Sequence, residues 1–557
     1  MKSYKNKIFA ICCAALALGA SSCVGDLDLK PNDPNTIVAG NLTDEQIEQV
    51  MAKCYSGIAV SGQGGPDGSS DIAGLDGGTS QYTRALFMLN EFTTDETNWI
   101  WADEGVFDLV TDTWSKGNAN IFGTYSRMYV HIAICNDFLR AVADIDNPTV
   151  NQYKLEARAL RALSYYNIID LFGNGGFLDE TSKAGDKPVQ QSRAQLYTWL
   201  KGELETLVAA FPDTTPHFGR VGKDGVEALL ARLYLNGKVF ADDAEGYTKC
   251  AEHCENIIAR HKGSGYNGSG LVPFYMYVFS GNNDTYMPGG GGVNEILWGV
   301  PYDANQTQPY GGTTFLVAAP LSNLTWEDNN AYMNSNDYGS SANWGCMHAT
   351  PQLADKFTGD DDRWSMWLKE DNGFSKENTS FSKFTDGYGV IKFTNLIHGD
   401  DNTFSMTTTD ENNTKFPNTD LPLIRLADVY LMYAECNIVG KVGDAAKALE
   451  YVNYVRGRAG NVARANGKVA PALWTADDMT ADNLLDERSR ELYWENTRRT
   501  DLVRFNKFTG GNYVWSFKGA SSTNDGAGKS IPDYMNLFPI PTNVIAAQPE
   551  FNQNPGY

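Results

Sequence analysis

The chain has 557 residues, a formal net charge of −23, and 68 Asp and Glu residues against 45 Lys and Arg residues. A surface this acidic repels phosphate backbones, which argues against a nucleic-acid partner. Aromatic side chains make up 12% of the residues, including 12 Trp and 28 Tyr, and surfaces rich in such rings suit the apolar faces of neutral sugars.

The N-terminal residues have the pattern of a bacterial lipoprotein signal peptide, predicted at 1–22. Three lysines precede the apolar run Ile8–Ala20, which is too short to span a bilayer stably. Small residues and then Cys23 follow, as in a lipobox, although leucine is commonest where Ala20 stands. We expect Cys23 to carry the lipid anchor and the polar residues 23–40 to form an extended tether. An ordinary secretory signal with an incidental cysteine is the alternative.

Two kinds of sequence alternate along the predicted domain, 41–557. The first kind has apolar residues at helical spacing, and the predicted helices end at glycines such as Gly173 and Gly440. Asp444 is a predicted N-cap for the helix that starts at Ala445. The pairs at 223–261 and 425–459 have the length and the small/large alternation of tetratricopeptide-like hairpins. We therefore predict a mainly α fold with these helical hairpins as its scaffold.

The second kind of sequence is loop-rich. Residues 62–80 and 263–420 are dense in Gly, Asn, Asp, Ser and Thr, with scattered Trp and Tyr. Long loops on a rigid scaffold commonly carry binding residues, so we expect ligand-binding loops within about 62–118 and 263–420. Strand-like stretches at Glu295–Val300 and Gly389–Thr394 predict small β-sheets.

Metal ligands are not strongly indicated. Cys250, His253 and Cys254 have a tempting spacing for zinc, but both cysteines share the apolar stripe of a predicted helix, which favours core packing. The Asp- and Asn-rich loops suggest a calcium ion near Asp284, because calcium takes oxygen ligands at flexible spacing. No other cofactor is predicted.

Catalytic patterns are also missing from the sequence: it has no GxSxG motif and no phosphate-binding glycine loop followed by lysine. A glycosidase needs only two carboxylates, so a surface glycoside hydrolase stays an alternative to the prediction of a protein that is not an enzyme. The charged run at 487–491, with Arg498 and Arg499, favours a structural salt-bridge network with i,i+3 and i,i+4 pairs on a helix.

Several segments occur in a fixed order along the chain. They are CVGDLDLKPNDPNT from residue 23, EARALRALSYYNIIDLFG at 156–173, GRVGKDGVEALLARLYLNG at 219–237, DLPLIRLADVYLMYAECN at 420–437, YVNYVRGRAG at 451–460, LLDERSRELYWENTRRTDLVRF at 484–505, and LFPIPTNVI with QNPGY at the end. Together they resemble the SusD/RagB family over nearly the whole mature chain, and the segment at 484–505 is the most specific.

This resemblance implies a lipoprotein on the outer face of the Gram-negative outer membrane. Such proteins bind oligosaccharides and deliver them to a SusC-like TonB-dependent transporter. Their fold combines tetratricopeptide-like helices with an irregular region that carries the ligand site. In starch-binding members, an arc of three aromatic side chains and a nearby Arg hold a helical α-glucan.

The resemblance to those starch-binding members also implies site residues. The segment 76–104 would supply Arg84 and the first arc residue, Trp101. The segment PYGGTTFLV would supply Tyr310, and SSANWGC would supply Trp344. A curved arc of stacked rings would select a curved polymer, so starch and maltooligosaccharides are the leading ligands.

Two further positions lie near the expected arc in the sequence. Glu104 stands where those members have an Asn, which places it among the expected carbohydrate-binding residues with an altered hydrogen bond. Trp99 lies two residues before Trp101, so it is either a second platform or part of the core. Two further alternatives are the same role for a different glycan and a structural lid or adhesin without a sugar site, in which the three arc residues would be buried apart.

Overall fold

A computed structural model of the protein is mainly helical. The structure describes residues 42–557 apart from 183–184, 215, 286–294, 323–333, 382, 400–402, 410, 412 and 521–527. The predicted signal peptide, Cys23 and the tether therefore lie outside the described residues. From Val50 onward, the described residues belong to one compact unit.

The helices are numbered in chain order. They are α1 (Asp44–Ala59), α2 (Tyr82–Asn90), α3 (Val106–Val110), α4 (Ala119–Ala141), α5 (Pro148–Leu171), α6 (Arg193–Ala210), α7 (Lys223–Leu235), α8 (Gly237–Ala241), α9 (Gly246–His261), α10 (Gly312–Ala318), α11 (Pro351–Ala354), α12 (Leu426–Ile438), α13 (Ala445–Arg458), α14 (Asn461–Ala465), α15 (Ala481–Leu492), α16 (Arg498–Arg504) and α17 (Thr542–Ala547). Among the described residues, no helix is both long and apolar enough to cross a bilayer.

The short strands pair two by two in antiparallel ladders: β1 with β5, β2 with β3, β4 with β8, and β6 with β7. They are β1 (Thr97–Trp99), β2 (Gly175–Phe177), β3 (Val189–Gln191), β4 (Ile296–Val300), β5 (Met347–Ala349), β6 (Ile397–His398), β7 (Met406–Thr407) and β8 (Leu421–Arg425). Short 3-10 helices lie at Tyr266–Gly268, Tyr275–Phe279, Ser335–Tyr338, Asp362–Trp364, Glu370–Asn372, Ala476–Asp478, Lys518–Ala520 and Asp533–Asn536.

Local sequence signals begin and end the main helices. Asp444 caps α13, since its Oδ1 accepts hydrogen bonds from the backbone N–H groups of Ala446 and Lys447 at 2.8 and 3.0 Å. After α5, Gly173 takes a left-handed conformation with φ of 69°, which glycine adopts without strain. These ends agree with the sequence prediction.

Consecutive long helices pack on one another and form the scaffold. The helix α4 packs on α5, α5 on α6, α6 on α7, α7 on α9, α9 on α12, and α12 on α13. The long insertion between α9 and α12 separates them in sequence but not in space. The prediction of a mainly α, tetratricopeptide-like scaffold is confirmed.

One of the two predicted strands forms. The stretch Glu295–Val300 becomes β4, whereas Gly389–Thr394 makes only isolated bridges at Gly389. The residues from Gly389 to Thr394 are all buried. The segment therefore lacks the alternation of buried and exposed side chains that a half-exposed strand shows. Within this stretch, Lys392 pairs with Glu495 at 2.6 Å, which shows that the segment crosses the core instead of joining a sheet.

A cluster of buried charges occupies the centre of this core, and we call it the ionic core. Its members are Glu295, Arg363, Arg425, Arg458, Glu487, Glu491 and Glu495. Arg425 alone contacts Glu491 and Glu495 at 2.7 Å each and Glu295 at 3.0 Å. All of these side chains are buried.

The charged run at 487–491 thus belongs to a structural network, as expected. The expected spacing is found in one pair, Glu487 with Arg490 at i,i+3. Most partners come from distant segments instead: Arg488 pairs with Asp501 at 2.7 Å, and Arg498 pairs with Asp95 at 2.7 Å. The helix α15 is buried on several sides, so its charges find counter-ions across the fold.

Candidate functional site

The β1–β5 ladder brings two of the predicted site residues together. Just beyond it, the N–H of Ile100 donates to the carbonyl oxygen of Cys346 at 2.9 Å. This register places Trp101 beside Trp344, whose own N–H donates to the carbonyl oxygen of Ala318 at 2.9 Å. The ring centroids of Trp101 and Trp344 are 6.2 Å apart, and the ring planes are inclined by 36°.

The glycine pair that begins α10 positions the third ring, Tyr310. A Cβ atom at Gly311 would collide with the side chain of Gln81. Gly312 has a φ of 55° and donates its N–H to Gln81 Oε1 at 3.2 Å. Both positions therefore require glycine. The backbone then carries Tyr310 to Trp344, with ring centroids 6.2 Å apart and planes inclined by 55°.

These three side chains form one continuous surface, which we call the aromatic arc (Trp101, Tyr310 and Trp344). Trp101 is 38% exposed, and the other two rings are half-buried. Under the alternative of a structural lid or adhesin without a sugar site, these three rings would be buried apart from one another. The observed adjacency and exposure count against that alternative.

Trp99 belongs to the core and is not a second platform. Its side chain is only 3% exposed, and its indole N–H donates to Asp103 Oδ2 at 3.0 Å. Its ring meets the ring of Trp101 edge to face, with centroids 5.7 Å apart and an interplanar angle of 73°. Trp99 therefore supports Trp101 from beneath.

Arg84 lies under the arc on helix α2. Its backbone N–H donates to the capping oxygen Gln81 Oε1 at 2.9 Å, and its Nη1 donates to the carbonyl oxygen of Tyr310 at 2.9 Å. The guanidinium carbon is 4.8 Å from the ring centroid of Phe315 and 5.7 Å from that of Trp344. The planar cation thus contacts the ring of Phe315 beneath the arc and the ring of Trp344 within it.

The electrostatic setting of Arg84 is unusual for a buried cation. Burial lowers its pKa, while the carboxylates of Asp76 and Asp103 act in the opposite direction. Its Nε has no hydrogen-bond partner among the described residues. Guanidinium carries five N–H donors, so this side chain keeps hydrogen-bonding capacity beyond its one contact with Tyr310.

Two residues that sequence reasoning missed hold the Tyr310 hydroxyl. This hydroxyl donates to Asp67 Oδ1 at 2.7 Å and accepts from Lys415 Nζ at 2.5 Å. The Lys415 ammonium also lies 4.8 Å from the Tyr310 ring centroid. Asp67 and Lys415 come from two loops on either side of Tyr310 in the sequence, and no local motif marks either of them.

Glu104 is exposed near Trp101. Its carbonyl oxygen accepts a hydrogen bond from Asn120 Nδ2 at 3.1 Å, which fixes the backbone. Within the described part of the chain, no hydrogen bond joins its carboxylate to the arc. A contact between Glu104 and a ligand stays a prediction.

The structure bears differently on the candidate zinc ligands and on the candidate calcium ligand. Cys250 and Cys254 are fully buried with Sγ atoms 3.9 Å apart, and His253 Nδ1 instead hydrogen-bonds Glu227 at 2.8 Å. No group of three or more metal-ligating side chains is found where the structure describes the chain. Asp284 is exposed, and residues 286–294 lie outside the described part, so the calcium site near Asp284 stays a prediction.

Comparison with known proteins places this architecture in a family. The model of the SusD family matches residues 227–557. The chain is also 31% identical to the starch-binding protein SusD of Bacteroides thetaiotaomicron, over 100% of this chain and 99% of that protein. This chain belongs to the SusD family. Since that SusD relative is named for starch binding, family membership agrees with a binding protein and not an enzyme.

Solved structures share the SusD fold. Surface glycan-binding protein A from Bacteroides fluxus superposes with a TM-score of 0.65 at 19% identity, over 93% of this chain and 100% of that one. The protein of the same name from Bacteroides thetaiotaomicron, in complex with laminarihexaose, gives a TM-score of 0.63 at 19% identity, over 92% and 100%. Identity this low establishes the shared fold alone.

Proposed function

We propose that this protein binds starch and maltooligosaccharides at the cell surface through the aromatic arc and Arg84. The observation that carries the proposal is the arc itself, in which Trp344 lies 6.2 Å from both Trp101 and Tyr310. Similarity over the whole chain to a protein named for starch binding supports it.

The geometry suits a curved α-glucan better than a flat polymer. Each ring covers the apolar C–H face of a sugar, and a stacked aromatic contact contributes about 0.5–1.5 kcal/mol beyond area burial. Neighbouring ring planes in the arc are inclined to each other by 36° and by 55°, so the three rings do not form a flat platform. A curved chain would meet all three rings, whereas a flat chain would meet fewer.

Polar contacts would then fix the orientation of the sugar. The guanidinium of Arg84 donates hydrogen bonds and lacks any acceptor, so it suits ligand hydroxyls. Glu104 would accept a hydroxyl hydrogen bond close to Trp101. A formal charge of −23 favours neutral glycans over sulfated or uronate-rich ones.

We also propose a cellular location and a partner for the protein. Residues 1–22 would be removed, Cys23 would carry the lipid anchor in the outer membrane, residues 23–40 would form the tether, and 41–557 would form the binding domain. The bound oligosaccharide would pass to a SusC-like TonB-dependent transporter. A Cys23→Ala variant should lose lipid labelling and leave the membrane fraction, and retention of both would contradict the anchor.

Calorimetry on the chain without its signal peptide and Cys23 tests the ligand. We would titrate maltoheptaose, cyclic maltoheptaose, cellohexaose, xylohexaose, laminarihexaose and a levan oligomer. Binding of the α-glucans alone, abolished in Trp344→Ala, is expected. The control is Trp364→Ala, since Trp364 is half-buried but stacks on Phe357 away from the arc, with centroids 5.3 Å apart.

A second candidate is the same role for a different glycan. It is favoured by one observation, the laminarihexaose complex of a protein with the same fold. Binding of laminarihexaose alone would establish this candidate and contradict the starch assignment. Binding of none of the panel would contradict the arc as a glycan site.

A further inference from the structure

A second aromatic region adjoins the arc on the far side of Trp101. It is a cleft of about 710 Å³, within the roughly 300–1,000 Å³ usual for small-molecule sites. We call it the phenylalanine cleft, since Phe107, Phe381 and Phe517 line one wall. Trp101 and Asp103 also line the cleft.

The ring of Phe381 contacts both of the other phenylalanine rings. Phe381 lies 4.8 Å from Phe107 and 4.2 Å from Phe517, measured between ring centroids. Phe517 is buried, Phe381 is half-buried, and Phe107 is 52% exposed. An aromatic ring that is half in water adds little to the core, and clustered exposed apolar side chains mark interaction sites.

The backbone beneath the cleft is strained. Phe517 has a φ of 68° and Ala520 a φ of 60°, in the left-handed region that side chains other than glycine rarely adopt. The N–H of Ala520 donates to the carbonyl oxygen of Thr111 at 3.0 Å, and Lys518 Nζ donates to the carbonyl oxygen of Tyr513 at 2.8 Å. Strain that is held in place by such contacts clusters at ligand sites.

The polar groups of the cleft restrict its occupant. Thr111 already donates its hydroxyl to the carbonyl oxygen of Phe107 at 2.8 Å, and Thr379 donates its hydroxyl to the carboxylate of Asp386. Asp103 accepts from the Trp99 indole through one oxygen, Oδ2. The cleft therefore offers aromatic faces together with the carboxylate of Asp103.

This combination matches a neutral hexose unit. Such a unit has an apolar C–H face for the rings and hydroxyl groups that donate to a carboxylate. An anionic ligand would be repelled by Asp103, and a plain acyl chain would leave the second oxygen of that carboxylate desolvated without a donor. Trp101 lines both the arc and the cleft, so a chain that leaves the arc at Trp101 has the cleft next to it.

We infer that the phenylalanine cleft binds further glucose units of the same α-glucan chain that the aromatic arc holds. The inference rests on the proposed function of the arc. It makes Trp101 a shared wall of two subsites, and it assigns Phe107 a role in preferring long linear chains. A closed ring of glucose units has no free end to enter the cleft and would bind the arc alone.

Calorimetry with linear maltooctaose and cyclic maltoheptaose separates the two subsites. Phe107→Ala should weaken maltooctaose binding by roughly twofold to tenfold, the equivalent of one lost stacking contact, and leave cyclic maltoheptaose unchanged. Phe107→Tyr keeps an aromatic face and should retain wild-type affinity. The control is Leu473→Ala, which removes an apolar side chain that is 55% exposed and lines neither subsite.

Each outcome decides between the arc and the cleft. Unchanged maltooctaose binding by Phe107→Ala, with cyclic maltoheptaose still bound, would refute the cleft and leave the arc intact. An equal loss for both ligands would mean that Phe107 acts through the arc, which also refutes the cleft. If the wild-type protein binds neither ligand, the arc proposal fails and the inference fails with it.

Discussion

Arg84 Nη1 donates a hydrogen bond of 2.9 Å to the carbonyl oxygen of Tyr310, a residue 226 positions further along the chain. The same guanidinium packs against Phe315 at 4.8 Å from the ring centroid. One side chain thus fixes the backbone of Tyr310 and packs beneath the aromatic arc.

Replacement of Arg84 by Lys should weaken α-glucan binding at least fivefold. An ammonium group has no planar face to lie against Phe315 and cannot hold Tyr310 while donating to a sugar. Arg84→Ala should also destabilise the fold by about 2 kcal/mol, since a charge-assisted hydrogen bond is lost. Calorimetry and chemical denaturation measure the two effects. Wild-type affinity in Arg84→Lys would contradict the role given to the guanidinium.

The hydroxyl of Tyr310 provides a second test. Tyr310→Phe keeps the stacking ring but loses the contacts to Asp67 and Lys415, so affinity should fall about threefold, in line with one modest hydrogen bond. Tyr310→Ala should reduce affinity about tenfold or more, because the stacking contact is lost as well. The melting temperature should not change for Tyr310→Phe, since contacts at exposed charges contribute little stability. Equal losses in the two variants would mean that the hydroxyl, not the ring, binds the glycan.

Glu96 should make stability depend on pH. Burial raises the pKa of Glu96 to about 7, since the neighbouring Arg498 is largely neutralised by Asp95. The folded state then keeps a proton that the unfolded state releases above about pH 4.3. The stabilising contribution is therefore full below about pH 4.3 and is lost as pH rises through 7.

Glu96→Gln should reduce this pH dependence, and the neighbouring Glu91, whose pKa burial also raises, accounts for what remains. In the wild type, the free energy of unfolding should fall by up to about 3 kcal/mol more than in the variant between pH 5 and pH 8. Urea denaturation at several pH values measures the difference. Glu104→Gln, at an exposed position, is the matched control and should follow the wild type. Parallel curves for Glu96→Gln and the wild type would show that the carboxyl titrates normally.

The ionic core predicts a large loss of stability from a single substitution. Arg425→Met leaves Glu295, Glu491 and Glu495 buried without their shared counter-ion. Removal of one partner from a buried ion network typically costs about 3–5 kcal/mol. Lys249→Met breaks an exposed pair with Glu252 and should leave the unfolding curve unchanged. A similarly small effect for Arg425→Met would mean that the network is not coupled.

The scaffold was predictable because its signals are local. Apolar spacing, the Asp444 cap and the stop at Gly173 act within a few residues of chain, so the helices form where the pattern indicates. The prediction of a strand at Gly389–Thr394 was wrong because the structure of this segment depends on distant parts of the chain. Its β-like residues pack in a core that surrounds the segment on every side. The sequence of the segment itself does not indicate that environment.

The residues of the candidate site also divide into those that the sequence predicts and those that it does not. Family resemblance was needed to select the three arc residues, since nothing local distinguishes Trp101 or Trp344 from a core tryptophan. Trp99 shows this directly, because two residues of spacing separate a buried ring from an exposed one. Asp67 and Lys415 were not predictable at all, since only the folded chain brings these two loops to the Tyr310 hydroxyl.

The ionic core also bears on how the chain folds as it is synthesised. Its arginines at 363, 425 and 458 precede their carboxylate partners on α15, and those partners leave the ribosome near the end of translation. A nascent chain that stops before residue 480 would have to bury three cations without these counter-ions. The native centre can therefore close only after α15 has emerged, so the residues before this helix cannot complete the core by themselves.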